Sequence, residues 1–299
     1  MRLPGSRDGK NGVRIWRVEP GHAEERPDQL AVEEPLEIRL VQGGRRRTVA
    51  VTMRTPGADD ELAAGFLFAE GVIDRPERVL RISHCADPGP SAACSNIIEV
   101  ELTEDGPEPD LAPLERHFFA TSACGVCGKA GLEKLQVRAS GPLPQGPVIS
   151  PEIISSLPAR LREAQGIFDA TGGLHAAALF DAQGHLLAAR EDVGRHNALD
   201  KLLGRAFLNG KVPLHDHVVL VSGRSSYEIL QKSLMAGVPV VCAVSAPSSL
   251  AVELAERFGL TLVGFLRGDR FNVYTGVERI ALPSSAERRR APGSLLPTV

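Results

Sequence analysis

Residues 217–266 read HVVLVSGRSSYEILQKSLMAGVPVVCAVSAPSSLAVELAERFGLTLVGFL, and the fold class follows from how they alternate. Three runs, 217–221, 238–244 and 260–266, are almost continuously apolar and rich in valine and leucine. Between them lie two stretches with helical periodicity. The first, 225–236, opens on Ser225-x-x-Glu228, read as a capping box, and stops at Gly237; the second spans 248–258. A strand with no polar face must be covered on both sides. Such strands, alternating with amphipathic helices, predict a largely parallel or mixed sheet between helical layers.

The same alternation extends upstream. Pro151 at a first helical position opens a helix toward Gln165. Strands are expected over 174–180 and 186–191, joined by an Asp-Ala-Gln-Gly hairpin, followed by a helix over 197–208. Nearer the N-terminus, strands are expected over 13–18, 36–40, 48–53 and 96–102, with Gly43-Gly44 as a hairpin turn. Residues 59–71 read as a helix with an acidic first turn and a shared Leu62, Phe66 and Ala69 face, ended by Gly71. Residues 103–113 hold three prolines, a glycine and four acidic residues, and mark a boundary. The expectation is an α/β (α+β) chain: a small β-rich domain over 13–112 and a larger α/β/α sandwich over 113–283. Residues 1–12 and 284–299 are read as flexible tails.

Composition narrows the function classes. At 299 residues, 43% hydrophobic and 24% charged, the chain has room for about two domains and is neither disordered nor collagenous. Its 34 basic against 37 acidic residues give a net charge of −3, which argues against coating nucleic acid but leaves room for a local basic pocket. No run reaches the roughly 18 apolar residues of a membrane span. The first ten residues lack a signal-peptide core, so a cytoplasmic, reducing setting is expected. Five cysteines do not make a secreted disulfide framework, and a close pair in such a setting is reactive or metal-binding.

The close pair is Cys124-Gly125-Val126-Cys127-Gly128-Lys129. A helix is expected from about residue 129. Its free N–H groups and dipole, with Lys129, would stabilise a Cys124 thiolate. Several chemistries fit. The pair could be half of a zinc site completed by Cys85 and Cys94, with His84 beside them, although those two are nine apart. It could be a thioredoxin-type redox pair, although about 120 residues precede it. It could carry sulfur as a persulfide, or be a structural loop. Cys242, inside an apolar strand, reads as core.

Four further signals lie between strands and helices, where open α/β sheets bind ligands. Thr171-Gly172-Gly173-Leu174-His175 places a histidine at a strand mouth. It differs from the zinc deaminase His-x-Glu because Ala177 stands at the third position. In Glu191-Asp192-Val193-Gly194-Arg195-His196-Asn197, Arg195 and His196 suit phosphate, and Asp192 is a partner for Arg195 or a base edge. Ser222-Gly223-Arg224-Ser225-Ser226 could cradle an anion without being a Walker loop. Phe265-Leu266-Arg267-Gly268-Asp269-Arg270 sets two arginine forks around a turn whose aspartate suits guanine.

These stretches together, with Glu-Asp-Val-Gly-Arg-His-Asn-Ala-Leu-Asp-Lys, Ser-Ala-Pro-Ser-Ser-Leu-Ala-Val-Glu-Leu-Ala and Arg-Gly-Asp-Arg-Phe-Asn-Val-Tyr, resemble the FdhD family of formate dehydrogenase accessory proteins, from about residue 13 to 282. The resemblance implies a sulfurtransferase. It would take sulfur from a cysteine desulfurase as a persulfide and pass it to molybdenum in bis-molybdopterin guanine dinucleotide, before that cofactor enters the formate dehydrogenase catalytic subunit. The cofactor would be a bound substrate, and no resident metal is expected. The persulfide cysteine would be Cys124, with Cys127 assisting or sharing the sulfur. The cofactor-binding stretch would be Phe265, Leu266, Arg267, Gly268, Asp269 and Arg270, to which Arg195, His196, Arg224 and His175 are added from their own readings. A cytidine-deaminase-like second domain, a homodimer and a guanine nucleotide acting as cofactor mimic are also implied, with no membrane or nucleic-acid partner. Cys85 and Cys94 stay unassigned.

Overall fold

A computed structural model describes residues 9–85, 95–104, 106, 108–111 and 143–282. Strands β1 (Lys10–Glu19) and β2 (His22–Ala31) form a separate antiparallel pair. Strands β3 (Glu34–Gln42), β4 (Arg45–Arg54), β5 (Val79–His84) and β6 (Ile97–Leu102) form a sheet of order β4-β3-β6-β5, with α1 (Asp59–Ala69) following β4. The remainder holds α2 (Pro151–Glu163), α3 (Gly166–Thr171), β7 (His175–Asp181), β8 (Leu186–Asp192), α4 (Arg195–Leu208), β9 (His217–Val221), α5 (Tyr227–Met235), β10 (Val240–Ala243), α6 (Ser249–Phe258), β11 (Thr261–Arg267) and β12 (Arg270–Thr275). Its six strands make one mixed sheet of order β12-β11-β10-β9-β7-β8, in which β9, β10 and β11 are parallel.

The apolar strands bury both faces, as their sequence requires. In β9, Val219 and Val221 face the core shared with α4, α5 and α6. Val218 and Leu220 face the core closed by Ile154, Leu157 and Leu161 of α2. The first of these cores continues through Leu62 and Leu67 of α1 to Leu36, Ile38, Ile98 and Val100 of the small sheet. One apolar interior therefore joins both sheets.

Helices α1 and α4 meet at two glycines. A Cβ on Gly65 would lie 1.9 Å from the Asp200 carbonyl oxygen, and one on Gly204 would lie 1.8 Å from that of Glu61. The obstacle in each case is backbone, which no rotamer change relieves. Gly204→Ala should cost about 3 kcal/mol or more by forcing the helices apart. Urea unfolding checks this, and a stability unchanged from the parent would refute the close crossing.

The structure departs from several sequence expectations. Strand β1 starts at Lys10, whose register partner is Ala31, so residues 10–12 belong to the hairpin rather than to a tail. Strand β2 was not expected. Its sequence, HAEERPDQLA, is polar, and only its pairing with β1 makes it a strand. The Ser225/Glu228 capping box does not form. The cap of α5 is Ser226, the Ser225 hydroxyl is buried without a partner among the described residues, and Glu228 turns to His196 and Lys232. Serines do cap α2 and α6, Ser150 accepting from Ile153 N–H and Ser248 from Ala251 N–H.

Candidate functional site

Topology gathers four of the sequence signals on one edge. The parallel strands β9, β10 and β11 end together, so the segments after them emerge side by side. Strand β7 runs antiparallel to β9, which brings its first residue, His175, to that edge. Asp192, the last residue of β8, is the register partner of His175. This is the carboxyl edge at which open α/β sheets hold ligands.

Backbone hydrogen bonds tie the loops together. Ser222 N–H donates to the Ala176 carbonyl, and Ser222 Oγ accepts from Ala176 N–H, both at 2.9 Å. Ser245 N–H donates to Gly223 O at 3.3 Å and Phe265 N–H to Ser245 O at 3.1 Å. Arg267 Nε donates to Val244 O at 3.3 Å, fixing the start of that side chain across the next loop. Phe265 holds a φ of 52°, rare for a residue with a side chain, and is 40% exposed. Arg267 stands opposite Arg270 across the turn, and Gly268 and Asp269 at its tip are exposed. Leu266 is fully buried in the α2-side core, so it offers this edge only backbone.

The Glu191–Lys201 segment divides its polar residues between two tasks. Glu191 accepts from the Ile167 and Phe168 N–H groups of α3 at 3.0 and 2.8 Å. Asp192 is not the partner of Arg195 that the sequence suggested. It is fully buried and lies 2.7 Å from Lys201 Nζ, itself 2% exposed, while accepting from Thr55 N–H, Gly194 N–H and Asn197 Nδ2. Lys201 also donates to the Thr55 carbonyl at 2.8 Å, and Asn197 to that of Met53 at 2.7 Å. These residues clamp the end of β4 to the start of α4. Arg195 and His196 are left to face the edge.

Arg195 Nε is buried without a partner among the described residues. Arg195 Cδ and the His175 ring line the space above Gly223, whose missing Cβ would sit 3.8 Å from the former and 3.4 Å from His175 Nδ1. Arg224 is exposed in the same loop. His196 Nε2 lies 3.2 Å from Ser226 Oγ and 3.4 Å from a Glu228 carboxylate oxygen. The sequence places Ser226 in the Ser222–Ser226 anion cradle but gives Glu228 only a helix-capping role. Their i, i+2 spacing at a helix start was the available signal.

Both imidazoles are held neutral. Burial lowers the pKa of His175, Arg195 lowers it further, and Asp192 opposes. His196 falls to about 4 through burial, with Arg195, Lys232 and His175 adding and Glu228 opposing. The stability consequence has a definite sign. Between about pH 6.5 and 4 the unfolded chain protonates this side chain and the folded chain does not, so stability is lost on acidification. The loss reaches at most about 3 kcal/mol below pH 4. His196→Gln should flatten the melting temperature over that range, and an unchanged acid slope would show that other groups carry it.

Cys124 and Cys127 lie outside the described residues, as does Cys94. Cys85 and Cys242 are buried, and burial pushes the Cys242 thiol up to about 12, as a core position requires. Among the described residues no group of three or more His, Cys, Asp or Glu side chains could hold a metal ion. No helix among them is long and apolar enough to cross a membrane.

The chain is 51% identical over 276 residues to the sulfur carrier protein FdhD of Streptomyces avermitilis, covering 91% of this chain and 96% of that one. It is 44% identical over 268 residues to the protein of the same name from Sulfurisphaera tokodaii, covering 90% and 98%. A crystal structure of a Desulfotalea psychrophila protein, assigned as a formate dehydrogenase accessory protein, superposes with a TM-score of 0.70 at 27% identity, covering 91% and 99%. The FdhD/NarQ family model matches residues 31–281, and the chain belongs to that family.

Proposed function

We propose that the protein is a sulfur carrier. In this reading the Cys124 thiolate attacks the terminal sulfur of a cysteine desulfurase persulfide. The donor's S–S bond breaks, the donor leaves as a thiolate, and the sulfur stays on Cys124. The sulfur then passes to the molybdenum of bis-molybdopterin guanine dinucleotide, with Cys127 assisting, before that cofactor enters formate dehydrogenase. The observation that carries the reading is identity of about half the residues, over nine-tenths of the chain, with proteins named for sulfur carriage.

The edge geometry supports an acceptor of this kind. The acceptor is a large polyanion ending in guanines, and a chain of net charge −3 must hold it with local cations. Arg195, Arg224, Arg267 and Arg270 all stand at one edge, and Arg forks match phosphate oxygens. Exposed Phe265 offers a stacking face, and Asp269 an acceptor for the guanine N–H edge. Guanosine diphosphate should then bind here as a fragment of the cofactor. Positioning the acceptor metal against a loaded persulfide is how such a protein would act.

Labelled transfer tests the proposal. Protein loaded from ³⁵S-cysteine by a desulfurase is mixed with the cofactor and apo-formate dehydrogenase. Label should appear in the dehydrogenase with its activity. Activity without label would mean cofactor delivery rather than sulfur transfer.

A further inference from the structure

The carboxyl edge contains an electrostatic imbalance that the overall reading does not explain. His175 on β7 is faced by Asp192 of β8, by Arg195 and His196 of α4, and by the Ser222–Arg224 turn after β9. Of these, Asp192 is the nearby carboxylate, and it is already engaged by Lys201, Thr55, Gly194 and Asn197. Glu228 of α5 is on the far side, against His196 and Lys232. What remains is a guanidinium whose buried Nε has no partner among the described residues, the His175 imidazole, and a glycine without a Cβ beside them, His196 being engaged by Ser226 and Glu228. Leaving a buried charged donor unpaired costs more than a typical hydrogen bond gains, so the arrangement is built for a missing acceptor.

We propose that Arg195, His175 and the Gly223 turn form one subsite for a tetrahedral oxyanion, the class to which the cofactor's singly charged diphosphate groups belong, and that filling it is coupled to protonation of His175. The inference rests on the reading of this edge as the substrate-binding edge and narrows it to a subsite separate from the Phe265–Arg270 turn. In the empty site Arg195 and burial keep the imidazole neutral. An oxyanion between them replaces net repulsion with attraction, so the ring takes up a proton as the ligand binds. By linkage, binding tightens as pH falls. A Cβ on Gly223 would already touch the His175 ring, 3.4 Å from Nδ1, and Arg195, 3.8 Å from Cδ, so the glycine keeps a further side chain out from between these two.

Sulfate is the suitable probe because its own charge does not change between pH 5 and 8. The titration midpoint of His175 would be followed by NMR of its ring Cε1–H in the full-length protein, in sulfate and in chloride at equal ionic strength. His175→Gln would assign the resonance. The midpoint should rise by about one pH unit in sulfate, and Arg195→Gln should remove the rise. Equal midpoints in the two salts, or a rise that survives Arg195→Gln, would overturn the subsite. If Arg195→Gln does not fold, melting temperature replaces it. Sulfate should then stabilise the wild type more at pH 6 than at pH 8, and His175→Gln should erase that difference. A difference that persists would refute the coupling. None of these variants touches Cys124, so failure here leaves sulfur loading to be judged separately.

Discussion

Cys124→Ala should reduce formate dehydrogenase activity to the level of a null strain when the variant is the only copy of this protein, while the dehydrogenase polypeptide remains present. The reason is chemical. Persulfide formation needs a thiolate at neutral pH, and an alanine has no sulfur to accept. Cys242 is no substitute in kind. The Cys242 thiol, pushed up to about 12 inside β10, carries almost no thiolate at pH 7, and Cys242→Ala should leave activity intact. In the proposed reading, with Cys124 as the carrier, Cys127→Ala should give a smaller loss. Measurement is formate oxidation in extracts, with the dehydrogenase quantified by immunoblot. Full activity in the Cys124→Ala strain would mean that binding the cofactor is the whole function.

Asp192→Ala should be the most damaging change in the described part of the chain, with a loss of about 3–5 kcal/mol. The carboxylate is the counter-ion of a lysine only 2% exposed, and it also accepts from Thr55, Gly194 and Asn197. Its removal takes the counter-ion from a buried lysine, which keeps only the Thr55 carbonyl, and an acceptor from three donors, of which Asn197 keeps the Met53 carbonyl. Folded domains are typically stable by about 5–15 kcal/mol, so the variant would be partly unfolded at ordinary temperatures. The double variant Asp192→Leu, Lys201→Met should recover much of the loss, since an apolar pair replaces a buried ion pair at little cost. Denaturant unfolding of the parent and the two variants decides it. A loss under about 1 kcal/mol in the single variant would show that Lys201 finds another partner.

These two residues show what the sequence made legible and what it hid. The α/β layering could be read from residues 217–266, because a run such as VVCA has no polar face to expose and must lie between two layers. Gly71 and Gly237 stop helices, and Gly268 lies in the turn between β11 and β12, each with positive φ. The polar strand β2 was missed because its pairing, not its composition, makes it a strand; Pro20-Gly21 was the overlooked turn signal. Sequence offers Asp192 as a partner for Arg195, its near neighbour, or for a base edge. Its actual partners include Thr55, 137 residues away, and no local pattern reports a contact made through the core. The same holds for Gly65 and Gly204, whose need for a bare backbone appears only when α1 crosses α4. For the site, residue types and their position after strands were enough to mark the Arg195, Arg224 and Phe265–Arg270 segments. The sheet order was needed to bring them to one edge.

The most direct test of sulfur carriage is intact-protein mass spectrometry after incubation with a cysteine desulfurase and cysteine, without reductant, for wild type and Cys124→Ala in parallel. The account predicts a gain of one or more sulfur masses in the wild type, reversed by dithiothreitol and absent from Cys124→Ala. No gain in the wild type, or an equal gain in Cys124→Ala, would contradict it.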